Sequence, residues 1–295
     1  MLNAVTHSGS FHADDVFAYA ILKAATDGAV QLTRTRDESL MTAADVLFDV
    51  GGIFDPAKGR YDHHMRDKPL RPNGEPYSSA GLIWKDYGAK AVLHFLPHET
   101  AETATRIQTM LDNGLLRDVD LMDNGAMPWH AGHVSVLIET FNVSFAESHR
   151  REDESFQQAS ELATSILARA CAHAHAAVVA EHTVAQAALA AEDPRILLLD
   201  RRVPWEDAVF DLDLKDALYV LRPAGDAWTC SAVMPERGSF EKRQPLPEAW
   251  AGLRDADFAG LTGVADATFC HPARFICGAK SREGILALAK LAVGT

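Results

Sequence analysis

Histidines and aspartates crowd into four short stretches in the first half of the chain. These stretches are HSGSFHADD, the aspartate that closes ADVLFD, YDHH and VDLMD. Imidazole nitrogens and carboxylate oxygens together suit Mn²⁺ and the neighbouring divalent metals. The four stretches therefore predict a metal site, although each one alone also fits a turn or a helix start. The candidate ligands are His7, His12, Asp14, Asp15, Asp49, Asp62, His63, His64, Asp120 and Asp123.

The segments beside these residues indicate how they could meet. Residues 2–6 form a short apolar run that ends at His7, and a second apolar, partly β-branched run ends at Asp49. A helical pattern, ADDVFAYAILKAAT, lies between them. Strand, helix and strand in this order predict an α/β sheet. Ligands bind at the carboxyl ends of the strands in such sheets, so we expect His7 and Asp49 at one edge.

Further along, residues 55–77 have the composition of a loop, which carries YDHH. SSAGLIWKDYGAKAVLHFL then predicts a helix capped by Ser78 or Ser79. Residues 98–122 are also expected to be helical, whereas 134–141 could be strand or helix.

The second half starts with an alanine-rich stretch, residues 152–190, which predicts one long helix or two consecutive ones. ILLLD is expected to be a strand, followed by a hairpin that turns at Gly225 and Asp226 and by a helix at the end of the chain. The pattern predicts an α/β fold with a catalytic domain over 1–150, a helical connector over 151–192 and a smaller α/β domain over 193–295. The connector could pack against the first domain or against a second subunit of an oligomer.

Composition limits the classes of partner. The net charge is −13, from 28 basic and 41 acidic residues, so the chain lacks the basic excess of proteins that grip long nucleic acid. No apolar run of transmembrane length and no signal peptide are evident, which predicts a cytoplasmic protein without a membrane partner. Four scattered cysteines are expected to be reduced, buried thiols.

Six motifs occur together in one order: HSGSFHADD, DVGG, YDHH, SSAGL, DNG and FICGAKSREG. In this order they resemble the melanocyte-proliferating-gene-1 family, and more distantly the DHH phosphoesterase superfamily. The resemblance runs from residue 7 to about residue 290. It implies a parallel-sheet DHH-type catalytic domain followed by a substrate-binding domain. Eukaryotic members of the family are described as 3′–5′ RNA exonucleases, whereas an older description is metal-dependent protein hydrolase.

The resemblance also implies roles for the candidate ligands. Asp49 would bridge two cations, and His64 would be a proton donor or a phosphate contact beside the scissile bond. Asp62 would orient a histidine ring, and we count it with His64 as catalytic. Two cations about 3.5–4 Å apart can activate an in-line water and relieve charge on a phosphoryl group. One cation would take His7 and His12, and the other would take Asp14, His63 and Asp123.

Three residues depart from this pattern or stand outside it. His12 replaces the aspartate of the pyrophosphatase-like motif, which makes the site less anionic and softer. This change favours zinc or manganese over magnesium. Manganese suits the mixed set of His and Asp and is the expected metal, with Mg²⁺, Zn²⁺ and Co²⁺ as alternatives. Asp15 is expected to be only an acid in the first turn of a helix, and Asp120 is expected to be exposed to solvent.

The last motif predicts an anion site near the end of the chain. Its positive charges lie just before a helix N-terminus, which binds anions, and Gly278 would let a ligand approach the backbone. By resemblance this stretch binds substrate, and Ser281 could cap the helix. The expected substrate-binding residues are Arg274, Gly278, Lys280 and Arg282.

The sequence therefore predicts a metal-dependent phosphodiesterase, a hydrolase that acts as a 3′–5′ exonuclease on RNA or short oligonucleotides. The acidic charge favours short substrates. Two alternatives stay open: hydrolysis of a non-phosphate substrate, for which no peptidase signature is present, and a non-catalytic metal-binding scaffold.

Overall fold

The structure is a computed structural model that describes residues 1–147 and 151–294. The chain forms two compact units, Met1–His175 and a second that begins at Ala176. Each unit contains a five-stranded sheet and several helices, so the predicted α/β class is confirmed. The predicted domain limit at residue 150 lies outside the described residues.

The sheet of the first unit has the strand order β2-β1-β3-β5-β4. Its strands are β1 (Leu2–Thr6), β2 (Val30–Arg34), β3 (Val46–Phe48), β4 (Phe54–Asp55) and β5 (Arg60–Tyr61). The first four strands in this order are parallel neighbours, but β4 runs antiparallel to β5. The predicted parallel sheet is thus found over four strands, and the sheet is mixed at its β4 edge. A single 3₁₀ turn, Pro56–Lys58, joins β4 to β5, and a parallel connection needs a dozen or more residues.

Residues 1–147 contain six α-helices. They are α1 (Ala13–Ala25), α2 (Glu38–Ala43), α3 (Ser79–Phe95), α4 (Ala101–Leu111), α5 (Arg117–Asp123) and α6 (Val134–Glu139). α1 packs on α3, and Ile21 and Ile83 are among their fully buried residues. A π turn, Asp112–Leu116, joins α4 to α5, so the helical prediction for 98–122 is confirmed. The ambiguous stretch 134–141 is helical.

The alanine-rich stretch forms one helix, α7 (Glu152–Ala190), rather than two. It is the one helix in the described part of the chain that could cross a membrane by length and composition, with a mean hydropathy of 1.3 over its most apolar window. We expected no helix that could cross a membrane, but this run of alanines is long and apolar enough to meet that criterion. Phe156, Ala163, Leu167 and Cys171 are fully buried. Their spacing is that of a helix packing one face against protein.

The sheet of the second unit has the order β6-β7-β8-β10-β9, with one parallel pair, β6 and β7. Its elements are β6 (Ile196–Leu198), α8 (Glu206–Asp211), β7 (Tyr219–Ala224), β8 (Ala227–Ala232), α9 (Asp255–Thr262), β9 (Ala267–Cys270), β10 (Ile276–Ala279) and α10 (Arg282–Val293). The predicted strand at ILLLD, the hairpin and the last helix are thus confirmed. Along β7, Tyr219 and Leu221 enter one core and Val220 the other, as alternate residues of a strand do. All four cysteines are free and buried, as predicted.

Candidate metal centre

Three loops at the carboxyl ends of neighbouring parallel strands build the centre. His7 follows β1, Asp49 follows β3, and His63 comes two residues after β5. The Nε2 atom of His7 lies 3.2 Å from Oδ2 of Asp49, and Nε2 of His63 lies 3.3 Å from Oδ1 of Asp49. The expectation that His7 and Asp49 meet at one edge of the sheet is confirmed.

Two helix ends supply the remaining predicted ligands. Asp14 lies in the first turn of α1, after His12 at the N-cap, and Asp123 is the last residue of α5. The Nε2 atom of His63 lies 3.6 Å from Asp14 Oδ2 and 3.3 Å from Asp123 Oδ2. Candidate ligand atoms come within 4.8 Å of one another in four groups. The groups are His7 with His12 and Asp49, Asp49 with His63 and His64, His12 with Asp14 and Asp123, and Asp14 with Asp15 and Asp49.

Asp49 lies at the middle of this arrangement, since it belongs to three of those four groups. Its backbone has a φ of +55°, in the left-handed region that aspartate tolerates better than most residues. Gly51 and Gly52 continue the turn with φ values of +101° and +69°. The DVGG turn therefore brings the Asp49 carboxylate, only 3% exposed, back toward the ends of the strands.

Asp62 holds the YDHH loop together through four hydrogen bonds. Its Oδ2 accepts the backbone N–H of Gly52 at 2.5 Å, and its Oδ1 accepts those of His63 at 2.7 Å and His64 at 3.0 Å. The same Oδ1 lies 2.9 Å from Nδ1 of His64. Asp62 thus contacts the ring of His64, whose side chain is 60% exposed, and the contact fixes the direction of its Nε2.

Asp15 contacts the centre in addition to having the role in the first helical turn that the sequence pattern indicated. Its Oδ1 accepts the backbone N–H of His12 at 3.0 Å, as expected of an acid in the first turn. It is also fully buried, and its Oδ2 lies 3.5 Å from Nε2 of His7. The acidic pair ADD in the first motif was the available signal, because both carboxylates belong to one group with Asp49.

The prediction that Asp120 is exposed was wrong. Asp120 is fully buried, and it accepts hydrogen bonds from the Ser78 hydroxyl at 2.6 Å and the Gly81 N–H at 3.0 Å. The guanidinium of Arg71 lies 2.7 Å from its Oδ2. One signal was available, since Asp120 and Asp123 are three residues apart and share a face of the helix. Its partners, however, lie about forty residues away in the sequence.

Burial and mutual repulsion control ionisation in the centre. Burial, together with the charges of Asp49 and Asp123, raises the pKa of Asp14 well above its usual range. Burial likewise raises the pKa of Asp15 to about 8, and it raises that of Asp123. Burial also opposes ionisation of Asp49, but the imidazoles of His63 and His7 hold its pKa below the usual value. The protein thus buries more carboxylates here than its own cations balance.

The donor set fits a divalent metal. Among the described residues, four buried ligand atoms make no hydrogen bond of acceptable geometry: Asp14 Oδ1, Asp15 Oδ2 and both ring nitrogens of His63. A buried polar atom without a partner costs about 1–3 kcal/mol, and a cation bound among these atoms would satisfy them. Carboxylate oxygen with imidazole nitrogen is the combination that Mn²⁺, Zn²⁺, Co²⁺ and Mg²⁺ accept.

The predicted substrate-binding residues lie in the second unit and are not all together. Arg274 precedes β10 and donates to the Leu246 carbonyl at 3.4 Å, whereas Lys280 and Arg282 are exposed at the other end of the strand. Gly278 is buried in β10, where an added Cβ would lie 2.6 Å from the Phe269 ring. The Phe269 ring therefore lies where a side chain at position 278 would lie, which requires glycine there.

The start of α10 already contacts a carboxylate. Ser281 caps the helix as predicted, because its Oγ accepts the Gly284 N–H at 3.0 Å. The Ser281 N–H donates to Oδ2 of Asp266 at 2.7 Å. An anion that binds at this N-terminus would compete with Asp266 for that amide.

The chain is thus an α/β protein with a candidate centre for divalent metal at the carboxyl ends of parallel strands. A family model described as Uncharacterised protein family (UPF0160), the MYG1 family, matches residues 3–293. The chain belongs to this family, which confirms the family that the six motifs indicated.

Relatives match over nearly the whole chain. A MYG1 protein of Schizosaccharomyces pombe is 30% identical, over 99% of this chain and 98% of its own length. A MYG1 protein of Caenorhabditis elegans is 31% identical, over 98% of this chain and 94% of its own. The protein of Homo sapiens that is named MYG1 exonuclease is 29% identical, over 97% of this chain and 84% of its own.

Proposed function

We propose that the protein is a metal-dependent phosphodiesterase that acts as a 3′–5′ exonuclease on RNA or short oligonucleotides. The observation that carries the proposal is the position of Asp49, whose carboxylate belongs to three groups of candidate ligands at once. A carboxylate shared in this way suits a site for two neighbouring cations. The name MYG1 exonuclease, carried by a relative of 29% identity, supports the nuclease class.

The proposed metal is manganese, as two ions that would share the carboxylate of Asp49. His7 and His12 would complete one shell, and Asp14, His63 and Asp123 the other. His12 also groups with Asp14 and Asp123, so this histidine could serve either shell. Mg²⁺, Zn²⁺ and Co²⁺ are the alternatives.

When bound, the metals would lower the pKa of a water and offset charge on the phosphoryl oxygens. His64 is the proposed proton donor to the leaving oxygen or contact to the phosphate. Its exposed ring is held at Nδ1 by Asp62, which leaves Nε2 for the substrate. General acids of this kind contribute about 10²–10⁴-fold to the rate.

We further propose a DHH-type organisation of the catalytic domain over 1–150, a connector over 151–192 and a substrate-binding domain over 193–295. Arg274, Gly278, Lys280 and Arg282 are the proposed substrate-binding residues. Lys280 and Arg282 are the better supported members of this set, because both are exposed. Cytoplasmic location and a small, phosphate-containing substrate are part of the same proposal.

The test uses a short RNA labelled at the 5′ end or at the 3′ end, with Mn²⁺ added after chelation. A 3′–5′ exonuclease releases the 3′ label at once as a mononucleotide and shortens the 5′-labelled strand step by step. Asp49→Ala should abolish both reactions. A matched control is Asp67→Ala at an exposed aspartate of the same loop region, which should leave the rate unchanged.

Each other outcome contradicts a different part of the proposal. Release of the 5′ label first would reverse the polarity. Cleavage of bis-p-nitrophenyl phosphate without cleavage of RNA would exclude a nuclease and leave a small-molecule phosphodiesterase. Bound metal with no turnover of either substrate would exclude a phosphodiesterase.

A further inference from the structure

A set of buried side chains outside the proposed ligands ties the start of α3 to α5. Asp120 of α5 accepts hydrogen bonds from the Ser78 hydroxyl at 2.6 Å and from the Gly81 N–H at 3.0 Å. Arg71 reaches Asp120 at 2.7 Å and also Oδ1 of Asp112, in the π turn, at 3.0 Å. We call Arg71, Ser78, Gly81 and Asp120 the Asp120 clamp.

Ser79 lies inside this clamp and faces the metal centre. Its backbone N–H donates to Asp14 Oδ2 at 3.4 Å, and its hydroxyl donates to Asp49 Oδ1 at 3.3 Å. Ser79 is fully buried. Asp14 belongs to α1 and Asp49 to the loop after β3. One residue therefore contacts two proposed ligands that come from separate elements.

The clamp explains why the backbone N–H of Ser79 can donate to Asp14. Ser78 has the N-cap position of α3, but its hydroxyl donates to Asp120 and does not cap the helix. The first N–H groups of a helix have no partner within the helix. In α3 the Gly81 N–H goes to Asp120 and the Ser79 N–H to Asp14. The positive end of a 17-residue helix thus lies against two aspartates.

The clamp allows little movement at this helix start. A Cβ built on Gly81 would lie 2.1 Å from Oδ2 of Asp120, so the carboxylate is in direct contact with the helix backbone. Arg71 stacks its guanidinium over the ring of Tyr77 at 4.1 Å. Residues on both sides of Ser79 are therefore held, which fixes where its hydroxyl and its N–H point.

We propose that Ser79 is a positioning residue that orients Asp14 and Asp49 for metal binding, and that the Asp120 clamp holds Ser79 in place. The inference rests on the metal role proposed above for Asp14 and Asp49. A free carboxylate can rotate about its last bond. A donor on one oxygen restricts that rotation, and partners of this kind are worth about 10–100-fold in metal affinity or activity.

The test measures Mn²⁺ affinity by calorimetry, so that it does not depend on turnover. Ser79→Ala removes the donor to Asp49 and keeps the backbone N–H, and we expect affinity to fall about tenfold. Ser79→Thr keeps the hydroxyl and should recover most of that loss. The matched control is Ser135→Ala, since Ser135 is also buried and its hydroxyl has no partner among the described residues. It should bind Mn²⁺ like wild type.

A second variant tests the clamp from a distance. Asp120→Asn keeps an oxygen for Ser78 and Gly81 but loses the charge that Arg71 contacts, so Mn²⁺ affinity should fall severalfold in protein that circular dichroism shows to be folded. The same affinity in Ser79→Ala and in wild type would overturn the inference. Wild type that binds Mn²⁺ tightly and cleaves no RNA would contradict only the proposed nuclease. Wild type that binds no divalent metal would overturn both.

Discussion

At the scale of single residues, the structure separates atoms that could hold a metal from atoms that hold the loops. Asp14, Asp15 and His63 bury ligand atoms that make no hydrogen bond of acceptable geometry among the described residues. Asp62 is equally buried, but four donors occupy its oxygens. Adjacent residues of one motif therefore have different roles, and substitutions at them should have different effects.

Asp62→Ala should destabilise the protein by about 1–3 kcal/mol, because it leaves the buried N–H of His63 and the partly buried N–H groups of Gly52 and His64 without their acceptor. Urea unfolding followed by circular dichroism measures the free energy of unfolding. Asp67→Ala at the nearby exposed aspartate should change it by no more than about 0.5 kcal/mol. A loss below about 1 kcal/mol in Asp62→Ala would contradict the role of Asp62 in holding this loop.

The sequence identified ligand types better than their supports. His7, Asp49 and His63 could be chosen because metal chemistry restricts the residue types, and strand ends bring such residues to one edge. The supporting contacts of Ser79 and Asp120 have no such signature. Their roles come from contacts with residues 30 to 65 positions away in the chain, and no local pattern encodes those distances.

At the scale of elements, the first turn of α10 offers a test of close packing. An added Cβ on Gly284 would lie 2.1 Å from Asp266 Oδ1, whereas Gly260 in α9 has nothing within 4 Å among the described residues. Glycine to alanine in an open helix gains about 1 kcal/mol. We therefore expect Gly260→Ala to raise the midpoint of thermal unfolding and Gly284→Ala to lower it.

The double variant Gly284→Ala with Asp266→Ala identifies the cause of that loss. It removes the carboxylate that the new methyl would meet, so it should recover part of the stability lost in Gly284→Ala. Gly284→Ala that is as stable as wild type would contradict the contact with Asp266.

An ion pair joins the loop before α3 to α5, and this pair should weaken in acid. Arg117 donates to Glu75 through Nε at 2.6 Å, and Asn73 donates to the same carboxylate at 2.8 Å. The bonds from Arg117 and Asn73 hold the pKa of Glu75 at about 2, below its usual 4.5. A lowered pKa stabilises the fold above the unfolded value, and the contribution disappears as pH falls from 4.5 toward 2.

We therefore expect Glu75→Gln to be less stable than wild type at neutral pH, with a difference that shrinks below pH 4.5. Urea unfolding at neutral and at acid pH measures this difference. Glu161→Gln, at an exposed position on α7, should have nearly the stability of wild type at neutral pH and at acid pH. A difference for Glu75→Gln that persists unchanged in acid would exclude the ion pair as its cause.

Long periodic elements were predictable and short ones were not. α1, α3, α7 and α10 have apolar spacing over several turns, which is the strongest local signal for a helix. β4 and β5 have two residues each, too few to show alternation. They form because β5 pairs with the edge of β3 and β4 pairs with β5. The β4–β5 pair is antiparallel, which makes the sheet mixed where a parallel one was expected.

At the scale of the whole molecule, charge limits how a polyanion can be held. The net charge of −13 and the buried aspartates of the candidate metal centre oppose the binding of a long nucleic acid. The proposed substrate-binding cations Lys280 and Arg282 are exposed and would add two local contacts to phosphate. Proteins that make 6–10 phosphate contacts lose about 10³–10⁵ in affinity between about 50 and 200 mM salt.

If RNA is the substrate as proposed, we expect kcat/KM to fall by less than about tenfold over the same range of salt, because the proposed site would contact only a few phosphates. A short oligonucleotide should be degraded at least as fast, per 3′ end, as a strand many times longer. Initial rates with Mn²⁺ held constant measure both quantities. Lys280→Ala should make kcat/KM still less dependent on salt. A steep salt dependence with a preference for long strands would show a polyanion groove, which the acidic composition argues against.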